Sequence, residues 1–228
     1  MSDANFDELV SAAFLQRFPQ HVTLIAEGDL PDFLHIVVDG SVELFGAHGR
    51  HETTLDIIRP VTTFILAAVI RDAVYLKSAR TLAPAQILMV PAQTVRDVFG
   101  RDAAFARAIV NELAERYRGA VRSLKNDKMR TSAERLANWI LQADALLRNG
   151  RSIELAFDKH TLASRLGMTP GNISQNLALL GKYGVKSSGR DITIEDSLAL
   201  ERFAKPIYSL TAKHREDPRT SKRYELTA

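Results

Sequence analysis

Residues 159–183 read KHTLASRLGMTPGNISQNLALLGKY and carry the strongest local signal in the chain. Leu162 and Leu166 have the spacing of one apolar face of a short helix, and Gly167 then permits a tight turn. The dipeptide Thr169-Pro170 predicts the start of a second helix, because a threonine hydroxyl caps free amides and proline is preset for the first helical turn. Two short helices joined by a tight turn indicate a helix-turn-helix.

The second helix has one apolar face and one polar face. Ile173, Leu177 and Leu180 are spaced to face inward, which leaves the residues between them on the solvent side. Amide and hydroxyl side chains reach base edges in the major groove, and small residues allow close approach. The residues predicted to contact DNA in this segment are Thr169, Gly171, Asn172, Ser174, Gln175 and Asn176.

Residues 185–194, VKSSGRDITI, follow the second helix and predict a β-hairpin with Gly189-Arg190 at its tip. Such a hairpin is the wing of a winged helix-turn-helix. Lys186 and Arg190 suit contacts to phosphates, which position a protein on DNA without specifying sequence. A protein-interaction scaffold is the alternative use of a helix-turn-helix, and the adjacent wing makes it the less favoured one.

A helical period begins at about residue 102. Apolar residues there recur at intervals of four and three, the pattern of a heptad seam between two helices. The run is shorter than three heptads, so a single helix that packs on its own N-terminal domain stays open as an alternative. The sequence favours a symmetric helix pair, with a predicted dimer interface at Ala106, Val110, Leu113, Tyr117, Ala120 and Leu124.

Two further segments complete the coarse secondary structure. Polar residues 126–130 interrupt the seam, and residues 131–134 (TSAE) have the form of a capping box, so a new helix is predicted to start there and to end by Asn149-Gly150. Residues 20–92 contain short apolar runs separated by Gly and Pro, as expected of a β-barrel or jelly roll. Within them, residues 63–70 form an apolar stretch whose type the periodicity does not settle.

The predicted fold class is α+β, with four segments along the chain. Residues 1–100 form an effector-sensing β-barrel domain of the jelly-roll type, residues 101–126 a dimerisation helix, and residues 127–205 the winged helix-turn-helix domain. Residues 206–228 form a polar, basic tail, for which a solvated terminus is favoured over a contact to the phosphate backbone. The cations toward this end of the chain are Lys205, Lys213, Arg215, Arg219, Lys222 and Arg223.

The composition excludes several classes of protein. The chain of 228 residues contains no cysteine, which removes disulfides, thiolate nucleophiles and cysteine-ligated iron–sulfur clusters. It shows no signal-peptide pattern and no apolar run near the ~20 residues of a transmembrane helix, so a cytoplasmic protein without membrane contact is predicted. The sequence offers neither a catalytic constellation nor a metal-binding spacing of its histidines, so we expect no enzyme and no metal site.

Two sets of residues resemble the motifs of one family. They are Gly28-Asp29, Asp32, Leu34, Val37 and Gly40-Ser41-Val42 in the N-terminal domain, and Leu166-Gly167-Met168-Thr169, Ile173-Ser174, Leu180 and Gly184 in the C-terminal domain. Together with the order of the domains, they make residues 15–204 similar to the CRP/FNR family of bacterial transcription regulators, which have a domain of the cyclic-nucleotide-binding type. The resemblance implies a homodimer that binds double-stranded DNA at an inverted repeat, contacts RNA polymerase and responds to a small effector.

The chain departs from this family in the phosphate cassette, which has the form FGE…RSA in members that bind cyclic nucleotides. With Phe64 on the cassette's Phe, residues 65–66 (Ile-Leu) replace Gly-Glu and residues 75–76 (Tyr-Leu) replace Arg-Ser. Burial of a phosphodiester without its polar partners is costly, so cyclic AMP is not expected to bind. A cyclic-nucleotide-responsive regulator stays an alternative if the alignment shifts by a few residues and Lys77 or Arg80 takes the anion.

An effector smaller or more apolar than a nucleotide is predicted instead, on the side of the barrel that faces the dimer helix. The resemblance is nearest to regulators that respond to nitric oxide or denitrification, or to small aromatic acids. Haem stays open because it needs only one or two ligands such as His35, although a packed core histidine is the favoured interpretation. The predicted effector-binding residues are Phe64, Leu66, Tyr75, Leu76, Lys77 and Arg80.

The recognition helix also departs from the family. Gly171 and Gln175 stand where members that read TTGAT-like half-sites carry Glu and Arg. Each good base contact is worth ~1–3 kcal/mol, so an altered or weakened sequence preference is expected. A ligand-sensing protein with weakened DNA binding is therefore the competing class.

Overall fold

The structure is a computed structural model and describes residues 1–49, 51–147, 152–155 and 157–206. These residues form two compact units. Of the described residues, those within 1–132 and 155–175 form the first unit, and those within 133–154 and 176–206 form the second. In the part of the chain that the structure describes, no helix is both long and apolar enough to cross a membrane.

The helices and strands include the predicted β region, long helix and helix-turn-helix with its wing, together with elements that were not predicted, such as α1 (Asp3–Ser11). The first unit contains α1 (Asp3–Ser11), β1 (Phe14–Phe18), β2 (Thr23–Ile25), β3 (Phe33–Asp39), β4 (Val42–His48), β5 (His51–Ile58), β6 (Thr62–Phe64), α2 (Leu66–Arg71), β7 (Ser78–Thr81), β8 (Ala85–Pro91), α3 (Ala92–Arg101) and α4 (Ala103–Met129). The remaining elements are α5 (Ser132–Leu147), β9 (Ser152–Glu154), α6 (Lys159–Arg165), α7 (Pro170–Leu180), β10 (Val185–Ser188), β11 (Asp191–Ile194) and α8 (Ser197–Ala204).

Two antiparallel sheets form the N-terminal fold. Their strand orders are β1-β8-β3-β6 and β2-β7-β4-β5. Alternation along the strands directs residues such as Val37, Leu44 and Ile87 into one buried core. Among the described residues no strand pairing joins the two sheets, so they form the jelly-roll type of fold that the sequence predicts and do not close into a barrel. The apolar stretch that periodicity left open divides into β6 and α2, with Ile65 between them.

A second core lies where helices cover the jelly roll. Leu34 and Val90 from the strands pack with Leu66 of α2, Val95 of α3 and Ile109 of α4. The sequence pattern predicted that the long helix ends near residue 126, but α4 continues to Met129. Residues 126–130 contain neither glycine nor proline, and their polar side chains alone do not end a helix.

The second unit contains a three-stranded sheet with the order β10-β11-β9 beside α5 and α8. The Asn138 side chain donates hydrogen bonds to the carbonyl oxygens of Glu134, at 2.8 Å, and Ala204, at 2.7 Å, which ties α8 to α5. Gly184 has a positive φ of 79°, and a Cβ there would lie 2.6 Å from Asp196. This position therefore requires glycine. The helix end predicted at Asn149-Gly150 and the basic tail after Pro206 lie outside the described residues.

Candidate DNA-binding surface and effector region

The helix-turn-helix has the Gly167 turn and the Thr169 cap that the sequence predicts, and a further cap at Asp158 that was not predicted. Asp158 caps α6 by accepting a hydrogen bond from the amide of Thr161 at 2.7 Å. Gly167 adopts a left-handed φ of 60° in the turn. The Thr169 hydroxyl accepts a hydrogen bond from the amide of Asn172 at 3.3 Å, and α7 begins at the next residue. Short-range capping therefore sets the start of both helices.

The polar face of α7 is exposed as predicted, with one difference. Ile173, Leu177 and Leu180 are buried. Asn176 is half-buried rather than solvent-facing, because it follows Ile173 by three residues and so shares part of its face. The exposed residues at the start of this helix are Thr169, Gly171, Asn172, Ser174 and Gln175.

The predicted wing is present as a hairpin of β10 and β11. Val185 pairs with Ile194, and Gly189 at the tip adopts a positive φ of 58°. Arg190 is exposed beside it. Lys186 is also exposed, and its ammonium lies 2.6 Å from a carboxylate oxygen of Glu195. A phosphate contact by Lys186 would therefore compete with this ion pair, which is worth little at such an exposed site.

Helix α4 has two apolar faces. Ile109 and Leu113 pack into the second core of their own unit. On another face, Val110, Tyr117 and Leu124 remain exposed, with 72% of Tyr117 and 57% of Leu124 accessible to solvent. Single-helix packing thus accounts for part of the heptad pattern and leaves an apolar stripe uncovered. The remaining predicted interface residues, Ala106 and Ala120, are half-buried and exposed respectively.

The predicted effector-binding residues do not lie together. Phe64 and Tyr75 are buried in the core between the sheets, whereas Leu66 belongs to the second core under the helices. Leu76 is 82% exposed. Arg80 is held on the outside of its sheet. Only Phe64 and Tyr75 therefore share an environment.

Arg80 is fully engaged in contacts of its own sheet. Its guanidinium donates to Glu43 at 2.7 Å and to Glu52 at 2.8 Å, and it lies 4.2 Å from the centre of the Phe45 ring. Glu43 is buried and also accepts a hydrogen bond from Thr54 at 2.5 Å. These contacts give Arg80 a structural role in the outer face of the sheet.

The cassette positions carry apolar side chains in a backbone conformation that glycine favours. Ile65 has φ 57° and ψ 28°, in the left-handed region where β-branched residues are rare. Leu66, at the position of the cassette's Glu, is 1% exposed and packs in the second core. Residues 65–66 thus supply no polar side chain to a ligand phosphate.

Arg116 lies near this region and was not among the effector-binding residues predicted from the sequence, whereas Lys77 was. Arg116 of α4 donates to the carbonyl oxygen of Thr63 at 2.6 Å and pairs with Glu112 at 2.7 Å. Burial lowers the pKa of Lys77, while the carboxylate of Asp56 opposes this shift and the guanidinium of Arg116 adds to it. The available signal was the position of Arg116, a cation within an otherwise apolar helical pattern.

His35 is buried in an aromatic cluster. It is 5% exposed, stacks on Phe64 at 5.2 Å and meets the edge of Phe33 at 6.4 Å. Its Nδ1 has no hydrogen-bond partner of good geometry. Burial lowers the pKa of His35 to about 4, and the Phe33 backbone offsets part of this shift. Among the described residues no three potential metal ligands cluster.

Two surface clefts lie away from the jelly-roll core. One, of about 440 Å³, is in the second unit and is lined by residues that include Tyr183, Arg202 and Phe203. The other, of about 280 Å³, lies at the β4–β5 hairpin and includes Leu76 among its lining residues. Neither contains Phe64, Leu66 or Tyr75.

Known proteins match the chain along most of its length. Residues 15–102 match the family model of the cyclic nucleotide-binding domain, and residues 134–203 match that of the Crp-like helix-turn-helix domain. The chain is 26% identical over 199 residues to the cyclic AMP receptor protein of Thermus thermophilus, which covers 86% of this chain and 91% of the relative.

Solved structures of similar fold include two regulators from other bacteria. FixK2 from Bradyrhizobium japonicum superposes with a TM-score of 0.76 at 19% identity, covering 84% of this chain and 96% of that one. A CooA variant from Carboxydothermus hydrogenoformans gives a TM-score of 0.73 at 19% identity, covering 86% and 89%. At these identities the likeness shows a shared fold.

Proposed function

Because the chain belongs to the CRP/FNR family of transcription regulators, we propose that it is a homodimer that binds specific DNA sequences under the control of a small effector other than a cyclic nucleotide. The observation that carries DNA binding is the exposed polar face of α7, with Ser174 and Gln175 on the side opposite to buried Ile173 and Leu177. The resemblance further implies RNA polymerase as a partner and the cytoplasm as the location.

A dimer would read an inverted repeat. Two copies of α7 related by a two-fold axis meet half-sites about one helical turn of DNA apart. The exposed apolar stripe of α4, with Tyr117 and Leu124, supports the helix pair that such a dimer requires. The wing residues Lys186 and Arg190 would then contact phosphates.

Substitutions in α7 and the wing separate sequence reading from general affinity. We expect Gln175→Ala to change the preference at one base pair per half-site and to cost ~1–3 kcal/mol on the preferred site. Arg190→Ala should weaken binding to all sequences alike and flatten the salt dependence by about one unit per site. Fluorescence anisotropy with the preferred duplex and single-base variants, at several salt concentrations, measures both effects.

Lys125→Ala serves as the control for Arg190, because Lys125 is an exposed cation of α4 outside the predicted DNA contacts. It should leave both affinity and sequence preference unchanged. If Gln175 were dispensable for sequence preference while Arg190 controlled it, the wing rather than α7 would be the reading element.

The proposal of a non-nucleotide effector rests on the cassette. Ile65, Leu66 and Tyr75 offer no charged partner for a phosphodiester, and Leu66 and Tyr75 are buried in packed cores. Calorimetry with cyclic AMP at millimolar concentration should therefore give no binding heat. The Thermus relative carries the name of a cyclic AMP receptor, so a micromolar Kd here would favour the cyclic-nucleotide-responsive alternative and would show that the residues were aligned wrongly with the cassette.

A further inference from the structure

The first helix of the helix-turn-helix packs on the edge of the jelly roll. Strand β5 is the last strand of its sheet in the part of the chain that the structure describes, so one of its edges pairs with no described strand. At this edge the backbone amide of Thr54 donates a hydrogen bond to the hydroxyl of Ser164 in α6 at 2.7 Å. Exposed sheet edges are commonly covered by other elements. Here the cover comes from the DNA-binding segment.

An ion pair strengthens this contact. The guanidinium of Arg165 lies 3.0 Å from a carboxylate oxygen of Asp56 in β5, and 31% of the Arg165 side chain is exposed. The same Asp56 oxygen accepts a hydrogen bond from the amide of Ile57 at 2.8 Å, which orients the carboxylate. Arg59 lies 6.0 Å from the centre of the Phe157 ring, just before α6. The contact therefore joins α6 to β5 through Ser164 with Thr54 and Arg165 with Asp56.

The ion pair with Asp56 offsets the positive charge of Arg165, one of the few cations of the helix-turn-helix. Residues 159–183 contain three cations, Lys159, Arg165 and Lys182, and no acidic residue, and α7 contains no charged residue at all. Affinity for DNA depends strongly on the number of phosphates that a protein's cations neutralise. While Arg165 is paired with Asp56, Lys159 and Lys182 are the cations in this range that are not paired with that carboxylate.

We propose that the contact of α6 with β5 is an autoinhibitory latch that DNA binding must open. It holds Ser164 and Arg165 on the sensor and offsets the charge of Arg165, so the latched population binds DNA more weakly than the open one. A ligand that favours the open state shifts the balance between the two. This inference rests on the proposed DNA-binding function and adds a mode of regulation to it.

Removal of the sensor's carboxylate tests the latch. We expect Asp56→Asn to bind a labelled pool of random-sequence duplexes several-fold more tightly than the parent, and to steepen the slope of log K against log salt by about 0.9 as Arg165 becomes available. Asp72→Asn is the matched control: it removes one carboxylate from an ion pair with Arg96 of α3, at 2.9 Å, at the end of α2. It should leave both quantities unchanged.

Arg165→Gln opens the same latch from the other side but removes the cation, so its salt slope should be no steeper than that of the parent. Hydrogen exchange gives a readout that does not depend on DNA. The Thr54 amide should exchange faster in Asp56→Asn, in Arg165→Gln and in Ser164→Ala, and at the parental rate in Asp72→Asn.

Two results would overturn the latch. One is an Asp56→Asn protein that binds DNA no more tightly than Asp72→Asn does, and the other is a Thr54 amide whose exchange is indifferent to all three latch substitutions. If the parent and every variant failed to bind DNA, the proposed function would be contradicted, while the Thr54 exchange rate would still decide whether α6 docks on β5.

Discussion

Replacement of Tyr117 and Leu124 together by glutamate is expected to convert the protein to monomers and to lower its affinity for its DNA site by about 10²–10⁴-fold. Both side chains lie in the exposed apolar stripe of α4. Two carboxylates would break the apolar seam and would face their copies across the two-fold axis. A monomer then engages one half-site at a time and loses the gain from a second, linked contact.

The choice of residues follows from the structure. Leu113 belongs to the predicted heptad seam, but it packs against the core of its own unit, so Leu113→Glu would disturb the fold as well as an interface. Asn111→Glu with Arg118→Glu is the control, since both residues are exposed on α4 and lie outside the apolar stripe. Sedimentation and fluorescence anisotropy measure mass and affinity. A stable, DNA-binding dimer from the Tyr117 and Leu124 variant would disprove the helix-pair interface.

The second large effect concerns stability and pH. His35 is buried and its pKa is lowered from 6.5 to about 4 in the folded protein. The unfolded chain therefore takes up a proton at this residue before the folded chain does, and stability falls as the pH drops from about 6.5 to about 4. The shift corresponds to about 3 kcal/mol lost over this range through His35 alone.

His35→Phe should abolish this contribution. Phenylalanine fits the ring contacts to Phe33 and Phe64, and it removes a buried nitrogen without a partner of good geometry, so stability at neutral pH should be equal or higher. His48→Phe, an exposed histidine at the β4–β5 hairpin, is the control. Urea unfolding at several pH values gives the free energies. An unchanged pH dependence in His35→Phe would show that His35 is not held neutral by burial.

The sequence was most informative where local chemistry determines structure. Thr169-Pro170 marked the start of α7 because capping and proline geometry act over a few residues, and Gly189 marked the tip of the wing for the same reason. The motif residues in both halves of the chain indicated the family, which the comparisons confirm.

Local patterns were least informative where distant residues meet. Arg80 and Lys77 are close in the sequence. Pairing of β7 with β4 places Arg80 opposite Glu43, however, and Arg80 binds that carboxylate instead of lying with the other predicted effector-binding residues. The docking of Ser164 and Arg165 on β5 joins residues about a hundred positions apart and leaves no periodic signal. The partition of α4 between its own core and an exposed stripe also depends on which strands and helices lie beside it.

Selection of binding sites from a pool of random-sequence duplexes, followed by native mass spectrometry of the enriched complexes, tests the central claim most directly. Our account predicts an enriched inverted repeat whose half-sites lie about one helical turn apart, occupied by one dimer. Gln175→Ala should shift the enriched sequence and keep the spacing. Enrichment of no sequence, or of a single half-site occupied by a monomer, would contradict a homodimeric, sequence-specific regulator.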